Sequence, residues 1–512
     1  MDFKLKKFLI VVLILFSSCI PPQKPKILLK YQEQIKKAEN FSYKGCYFHL
    51  QKAHKIYRDL YSIPSLKKTI AEKLLKITLL LSLREKELGI INTEYINQSF
   101  RLIKENSFLR NFLPYAEITS FLNVKVEGVL EDIDRRIISW RKFNEILEKV
   151  KKEINKMSRI DEFYAYFLIE LACSRFFLKE TKELSILLKY HPDSLSLKYK
   201  LAICGLEDAK TLKELIETEP CFYEIYLFLG KFYLMRKKFF EAEQNFLKAL
   251  DKFPDSVLIN ISLASIYFYF EEFEKSIDYY NKCLQLAPRY RDALLGKAIS
   301  LSYLEKHEEA ILVLKELISL GKWYLGETNY WLAWNKHKLR LLDEAKFNIQ
   351  EAKRYLPTSS EVFTLSGILA FENNDLDKAE KDLKKALIFE PSNSEALFNL
   401  GNVYAKKGEW ENSGQYFEKA GETYETLENF VKRRIERIRN SSISEERKNK
   451  ILHKLEKKLR KFSFLKATSF YNASAGFFNA GKKDKALILA KRAMKHPAFI
   501  EKAKNIISKI KK

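Results

Sequence analysis

The sequence predicts an all-α protein, a right-handed superhelical solenoid of antiparallel helix pairs that follows an N-terminal helical region. Three observations support this fold class. Small and apolar residues recur about every 34 residues through the second half of the chain. Within each period they fall at the spacing that places side chains on one helix face. The chain also has only 15 glycines and 12 prolines in 512 residues, so few positions interrupt helices.

Each period carries the same chemical pattern. In the first clear period, Gly230 and Ala242 are small enough for two helices to approach closely, and Phe246 fills the space beside them. Pro254 then ends the second helix because it has no amide donor. The pattern recurs, one group per later period, at Ala264, Ser276, Tyr280 and Pro288; at Gly367, Ala379, Leu383 and Pro391; and at Gly401, Ser413 and Phe417. Such units bury a core only by stacking on one another.

These positions resemble the tetratricopeptide repeat family, which implies a helix-pair solenoid that binds other proteins. The resemblance covers roughly residues 161–512 and is strongest over 223–427. We therefore expect seven segments: a signal peptide (1–18), a tether (19–30), an N-terminal helical region (31–160), degenerate repeats (161–222), clear repeats (223–427), a basic helical insertion (428–466), and a last partial repeat with a C-terminal cap (467–512).

The first nineteen residues predict export. Lysines precede an unbroken apolar run from Phe8 to Phe16, and two serines and Cys19 follow. The run is too short to span a bilayer. The Ser-Ser-Cys sequence resembles the lipobox of bacterial lipoproteins, in which the cysteine is acylated and becomes the mature N-terminus. Phe16 departs from the usual leucine, a departure that resembles the looser lipobox of spirochaetal lipoproteins. The resemblance implies lipid attachment at Cys19 and a location in the bacterial cell envelope. An ordinary secretory signal or a signal anchor is the alternative.

The positive charge does not predict nucleic-acid binding. Lysine and arginine number 91 against 66 acidic residues, which gives a net charge of +25. The lysines mostly alternate with glutamates along helix faces, as on solvated surfaces. Export also argues against a nucleic-acid partner.

Neither the cysteines nor the short motifs indicate a chemical site. Cys46, Cys173, Cys204, Cys221 and Cys283 are scattered without a C-x-x-C pair, so we expect buried free thiols rather than disulfides, although spacing does not exclude one bridge. The sequence has no G-x-G-x-x-G, phosphate-binding loop, H-E-x-x-H or acidic calcium loop. We therefore predict no catalytic residue, no metal ligand and no cofactor.

Residues 428–466 differ from the repeats around them. Lysine and arginine predominate, and Ile451, Leu455, Leu459 and Phe462 form one apolar stripe of a predicted basic amphipathic helix. A shorter helix is expected before Ser441, with a capping box formed by Ser442 and Glu445. The segment is expected to pack on the solenoid as an elongated helical pair, or to contact anionic lipid or an acidic partner.

The family resemblance also implies a partner-binding groove. In the family, four positions of each first helix line the concave surface. Chaperone-binding members use Lys and Asn there to hold a carboxylate, of which only Asn399 and Asn402 match here. The groove instead reads as apolar and aromatic, suited to an amphipathic helix or an extended apolar segment. The candidate groove residues are Leu227, Lys231, Phe268, Tyr330, Trp334, Phe371, Phe398 and Asn402.

The sequence thus predicts a non-enzymatic, membrane-anchored scaffold that binds another envelope protein. An envelope-assembly component, acting in outer-membrane protein insertion or in control of cell-wall hydrolases, is one alternative. An enzyme with an unrecognised site in residues 31–160 is a second, and a surface adhesin is a third.

Overall fold

The computed structural model of the chain describes residues 30–123, 145, 148, 161–171, 191–205, 209–321, 323–441 and 443–511. Over these residues the chain is built from helices in consecutive pairs, as the sequence predicts, and an isolated β-bridge joins Ile90 and Ser256. None of these helices is both long enough and apolar enough to cross a membrane. The predicted signal peptide and Cys19 lie outside the described residues.

The chain forms two compact units. Unit 1 is Met1–Leu263 with Gln285–Tyr290, and unit 2 is Ala264–Leu284 with Arg291–Lys512. The described helices of unit 1 are α1 (Gln32–Lys44), α2 (Tyr47–Tyr61), α3 (Lys67–Leu88), α4 (Glu94–Glu105), α5 (Leu113–Asn123), α6 (Glu162–Leu171), α7 (Leu195–Gly205), α8 (Ala209–Thr218), α9 (Glu224–Met235) and α10 (Phe239–Lys252). Residues of α11 (Val257–Tyr269) and α12 (Phe273–Leu286) are divided between the two units.

Unit 2 continues with first and second helices in alternation. They are α13 (Arg291–Tyr303), α14 (His307–Ser319), α15 (Leu325–Lys338), α16 (Leu342–Tyr355), α17 (Ser360–Glu372), α18 (Leu376–Phe389), α19 (Ser394–Lys407), α20 (Trp410–Arg439), α21 (Glu445–Asn479), α22 (Lys483–Ala493) and α23 (Ile500–Lys511). Asp375 and Asn393 cap α18 and α19, since each side chain accepts a hydrogen bond from a backbone amide of the first turn.

The small residues of the repeat lie where the two helices of a pair touch. A Cβ atom on Gly401 would come within 2.8 Å of the Phe417 ring, so the close approach of α19 and α20 requires glycine. Ala379 and Ala386 are fully buried in the pair formed by α17 and α18. Where serine replaces the small residue, its hydroxyl bonds across the pair: Ser413 Oγ donates to the Gly401 carbonyl at 3.0 Å.

The 34-residue period reappears in the backbone. The turn after each first helix contains one residue in the left-handed region, and in most repeats this residue has a side chain. The residues are Lys237, Glu271, Glu305, Arg340, Asn374 and Gly408, with φ between 58° and 78°. Residues other than glycine are strained in this left-handed conformation by about 1 kcal/mol or more. The repeat therefore tolerates a recurring local cost in order to turn sharply between its helices.

The basic insertion is not a separate pair of helices. Helix α20 runs without a break from the sixth repeat to Arg439, and α21 runs from Glu445 into the last repeat. The expected segment boundaries at residues 428 and 466 therefore fall inside continuous helices. Helix α21 begins after Ser444, whose side chain makes no capping hydrogen bond, and Ser442 lies outside the described residues.

The extended ends of α20 and α21 contact the turn between α11 and α12 within unit 2. Arg434 Nη2 donates to the Tyr269 carbonyl at 3.2 Å, and its guanidinium lies 4.6 Å from the centroid of the Tyr269 ring. Lys458 Nζ donates to Glu271 Oε1 at 2.9 Å, and Arg447 pairs with Glu272 at 3.4 Å. Part of the insertion's positive charge is thus neutralised by the repeats themselves.

Four of the cysteines that we expected to be free thiols lie in the described residues, and the expectation is wrong for three of them. Cys46 and Cys221 form a disulfide, and Cys204 is also disulfide-bonded. Cys283 is a buried free thiol, as predicted. The Cys46–Cys221 bridge joins residues 175 positions apart, so only the tertiary fold brings them together.

Candidate functional site

In unit 1, the groove positions of the first repeats are covered by the chain's own N-terminal helices. Glu224 Oε1 accepts a hydrogen bond from the Tyr47 backbone amide at 2.9 Å. The Val257 amide donates to the Gly89 carbonyl at 2.9 Å, so the end of α3 lies against the start of α11. Leu227 has no exposed surface, which contradicts its predicted place in an open groove. Lys231 is half-buried, and burial lowers its pKa to about 8.

A buried ionic cluster, which the sequence reasoning missed, holds these unit 1 helices together. Glu87 accepts hydrogen bonds from Tyr166 at 2.7 Å and from Tyr199 at 3.0 Å. Lys200 pairs with both Glu87 and Glu170. Burial alone would raise the pKa of Glu170, but its lysine partners lower it to about 2. The charges of this cluster are paired and buried. The cluster therefore fits a structural role better than a role in binding a ligand.

Unit 1 also contains an open cavity of about 510 Å³ beside residues of the N-terminal helical region. Its charged lining is internally paired: Lys76 Nζ lies 2.6 Å from Asp161 and 3.0 Å from Glu72. Glu162 accepts a hydrogen bond from Ser194, and burial raises the pKa of its carboxyl. These contacts do not by themselves support the alternative of an enzyme site in residues 31–160.

In unit 2, a cleft lies across the first helices of three successive repeats. It has a volume of about 80 Å³ and lies between α15, α17 and α19. Its lining residues are Tyr330, Trp334, His337, Lys338, Glu361, Thr364, Leu365, Ile368, Asn393 and Glu395. We call this the unit 2 cleft. Two of the predicted groove residues, Tyr330 and Trp334, therefore line the same concavity.

Aromatic rings extend from the cleft along the first helices. We call Phe268, Tyr303, Trp331 and Trp334 the aromatic row. The Phe268 and Tyr303 centroids are 5.7 Å apart, those of Tyr303 and Trp331 are 5.9 Å apart, and those of Trp331 and Trp334 are 5.6 Å apart. Tyr303 is 52% exposed, so the row offers an accessible aromatic surface.

The remaining candidate residues lie outside the cleft lining. Phe371 is half-buried, packs with the core around α18 and α19, and has Lys406 Nζ 5.2 Å from its ring centroid. Phe398 packs edge-to-face on Phe417 at 5.2 Å and also against residues of α21. Asn402 is half-buried. Phe398 thus contributes mainly to packing between repeats.

The sequence predicts an apolar and aromatic groove, but the cleft is also lined by acidic residues. Glu327, Glu361 and Glu395 occupy the same position in three successive first helices, and we call them the acid row. Glu361 and Glu395 line the cleft directly, and Glu327 lies one turn before Tyr330 on the same helix face. Burial raises the pKa of Tyr330, and the nearby charges of Glu395 and Glu361 raise it further.

Basic groups lie at the other end of the first helices. Lys338 Nζ is 5.2 Å from the Trp334 ring centroid, and His337 Nε2 is 3.0 Å from Glu372. The cleft therefore has an acidic end, an aromatic centre, and an end where His337 contacts Glu372 and Lys338 lies against the Trp334 ring. This combination of ring faces and carboxylates suits recognition of a polypeptide segment.

Comparisons with known proteins agree with the repeat assignment. Models described as tetratricopeptide repeat match residues 259–290 and 364–424. The chain is 30% identical over 152 residues to a BBSome complex member, BBS4, of Bos taurus, covering 29% of this chain and 28% of that protein. It is 25% identical over 196 residues to the human protein O-mannosyl-transferase TMTC1, covering 38% of this chain and 22% of that protein. The chain therefore spans less than a third of the length of either relative.

Solved structures are similar at low identity. A tetratricopeptide repeat protein from Parabacteroides merdae is 18% identical, with a TM-score of 0.37, covering 54% of this chain and 97% of that chain. The model match at 259–290 covers α11 and α12, and the match at 364–424 covers most of α17, all of α18 and α19, and the first half of α20. The chain therefore contains tetratricopeptide repeats.

Proposed function

We propose that this chain is a non-enzymatic scaffold, anchored in the bacterial cell envelope by lipid on Cys19, that binds another envelope protein through the unit 2 cleft. The observation that carries the proposal is the cleft itself, where Tyr330 and Trp334 of α15 line the same concavity as Ile368 of α17. Aromatic side chains in a concave surface commonly contribute a large share of binding energy.

Two features support a location outside the cytoplasm. The first is the short apolar run that ends at Ser17, Ser18 and Cys19. The second is the disulfide bonding of Cys46, Cys221 and Cys204, because disulfides persist mainly in oxidising compartments. Both features fit an exported protein held near a membrane.

The cleft provides the partner site because the equivalent surface in unit 1 is occupied. Glu224 accepts a hydrogen bond from the Tyr47 amide, Val257 donates one to the Gly89 carbonyl, and Leu227 is fully buried. In unit 2, by contrast, Tyr330 and Trp334 retain exposed surface. A partner segment would therefore enter at α15, α17 and α19.

Capture of the partner from solubilised membranes tests the proposal. The full chain should recover a specific envelope protein, and the double variant Tyr330→Ala with Trp334→Ala should weaken that capture by at least about 2 kcal/mol. Because truncation of half-buried rings also removes packing, Ile368→Arg provides a second variant that fills the cleft instead. Phe347→Ala is the matched control, since this aromatic residue is 67% exposed on the second helix α16.

The expected pattern is weaker capture by both cleft variants, with helical circular dichroism and melting temperature close to those of the wild type. Undiminished capture by the stably folded Ile368→Arg protein would contradict the assignment of the cleft as the partner site.

A further inference from the structure

The acid row of unit 2 lacks basic partners in a chain that is rich in lysine and arginine. Among the described residues, no lysine or arginine lies within ion-pair distance of Glu327, Glu361 or Glu395. Glu361 accepts a hydrogen bond from Ser359 at 2.8 Å, but a neutral hydroxyl does not pair with its charge. Glu361 and Glu395 are exposed, and Glu327 is partly exposed.

Each of these carboxylates lies in the first turn of its helix, where it offsets the helix dipole. The second helices of the same repeats permit a comparison, because they also carry acids in their first turns. Those acids are paired: Glu344 with Lys336 at 3.0 Å, and Asp377 with Lys407 at 2.6 Å. The helix dipole accounts for both sets of acids but not for the missing partners in the acid row.

The unpaired carboxylates lie beside ring faces that also attract cations. Tyr330 is one helical turn from Glu327, and Trp334 is one further turn away. Aromatic faces attract lysine and arginine side chains within about 6 Å. Lys338 Nζ already lies 5.2 Å from the Trp334 ring centroid, so Tyr330 is the ring that a partner's cationic side chain would meet beside the carboxylates. An anionic side chain would be repelled by the acid row.

We propose that the unit 2 cleft selects a cationic polypeptide segment, in which lysine or arginine residues that face Glu327, Glu361 and Glu395 alternate with apolar residues that contact Tyr330 and Trp334. This inference rests on the proposed function and specifies the chemistry of the partner. Packed neighbouring helices lie about 8–10 Å apart, and a chain in the polyproline II conformation rises about 3.1 Å per residue and returns to the same face at every third residue. Basic residues about three positions apart would thus reach successive carboxylates.

The test uses the full chain, purified in mild detergent, and three synthetic peptides of about twelve residues. The first has lysine at every third position and leucine or alanine between. In the second and third, glutamine or glutamate replaces every lysine. The lysine peptide should bind, its affinity should fall with rising salt, and the glutamate peptide should not bind.

Two triple variants separate charge recognition from helix stabilisation. Glu327→Gln with Glu361→Gln and Glu395→Gln should weaken binding of the lysine peptide by about tenfold or more and remove most of its salt dependence. Asp343→Asn with Glu344→Gln and Asp377→Asn removes three first-turn carboxylates from second helices and should leave binding unchanged. Both variants should retain the wild-type melting profile to within a few degrees.

The outcomes distinguish this inference from the proposed function. Equal binding of the lysine and glutamine peptides, with loss of both in Ile368→Arg, would overturn cation selection while retaining the cleft as a partner site. Equal weakening by the two triple variants would overturn the inference in favour of a nonspecific charge effect. Peptide binding that Ile368→Arg does not alter would overturn both the inference and the proposed partner site.

Discussion

The buried carboxyl of Glu85 predicts that unit 1 becomes less stable as pH rises from acid to neutral. Glu85 is 2% exposed, and its Oε1 accepts hydrogen bonds from Tyr47 Oη and Asn92 Nδ2, both at 3.0 Å. Its Oε2 atom is buried without a hydrogen-bond partner among the described residues. Burial raises the pKa of Glu85 from 4.5 to about 7, although the two donors oppose the increase.

The sign and size of the effect follow from the two pKa values. An acid whose pKa is higher in the folded state takes up protons on folding between those values, so the free energy of unfolding falls as pH rises from 4.5 to about 7. At about 1.4 kcal/mol per pH unit, the full loss is about 3 kcal/mol. Glu85→Gln keeps an acceptor for Tyr47 and Asn92 but buries an unpaired amide group, which costs about 1 kcal/mol. The variant should therefore be about 2 kcal/mol more stable than the wild type at pH 8.

Urea unfolding followed by circular dichroism at pH 4 and pH 8 measures this difference. At pH 4 the wild-type carboxyl is largely protonated in both states, so the advantage of Glu85→Gln should disappear there. Glu33→Gln, at an exposed position of α1, is the control and should show no such pH dependence. A Glu85→Gln advantage that is the same at both pH values, or a variant less stable than the wild type at pH 8, would refute the reasoning.

Three further predictions concern other parts of the chain. Cys19→Ala should abolish incorporation of labelled palmitate and detergent-phase partitioning; retention of both would exclude lipid attachment at this residue. Glu305→Gly should raise the free energy of unfolding by about 0.5–1 kcal/mol, because Glu305 has φ 61°, whereas Glu305→Ala should not, as thermal unfolding would show. If the insertion contacts anionic lipid, its exposed residues Lys457, Arg460 and Lys461 carry the interaction. Their joint change to Gln should then lower the salt-sensitive binding of the full chain to phosphatidylserine vesicles, and equal binding by wild type and variant would argue against lipid contact.

The features that repeat locally could be predicted from the sequence. Gly401 and Phe417 specify a close helix pair through their own spacing, and the structure places the Phe417 ring where only glycine leaves room. The same period predicts where the turns fall. It does not predict that Glu305 or Arg340 takes the left-handed conformation, because neither residue type favours it.

Features that depend on distant parts of the chain could not be predicted. Glu224 has the sequence position of a groove residue, but its side chain accepts a hydrogen bond from the backbone amide of Tyr47, 177 residues away, and the repeat period does not predict that contact. Leu227 has a groove position as well and is fully buried. Cys46 and Cys221 are similarly brought together only by folding. The acid row was visible at a repeated position, but the aromatic residues beside it led to the interpretation of an apolar groove. Only the tertiary structure shows that Asp377 forms an ion pair with Lys407 whereas Glu361 has no ion-pair partner among the described residues.

The contact between the insertion and the turn near Glu271 has a mechanical consequence. Each helix pair in such an array contacts mainly its neighbours, so few contacts restrain the distance between repeats that are far apart in sequence. Lys458 and Arg447 tie a segment that follows the sixth repeat to the Glu271–Glu272 turn, several repeats earlier. Because α15, α17 and α19 lie between the two ends of these contacts in sequence, we expect the contacts to limit how far those helices move apart. A more rigid cleft would lose less entropy when a segment enters it, so part of its affinity would come from residues that never touch the partner.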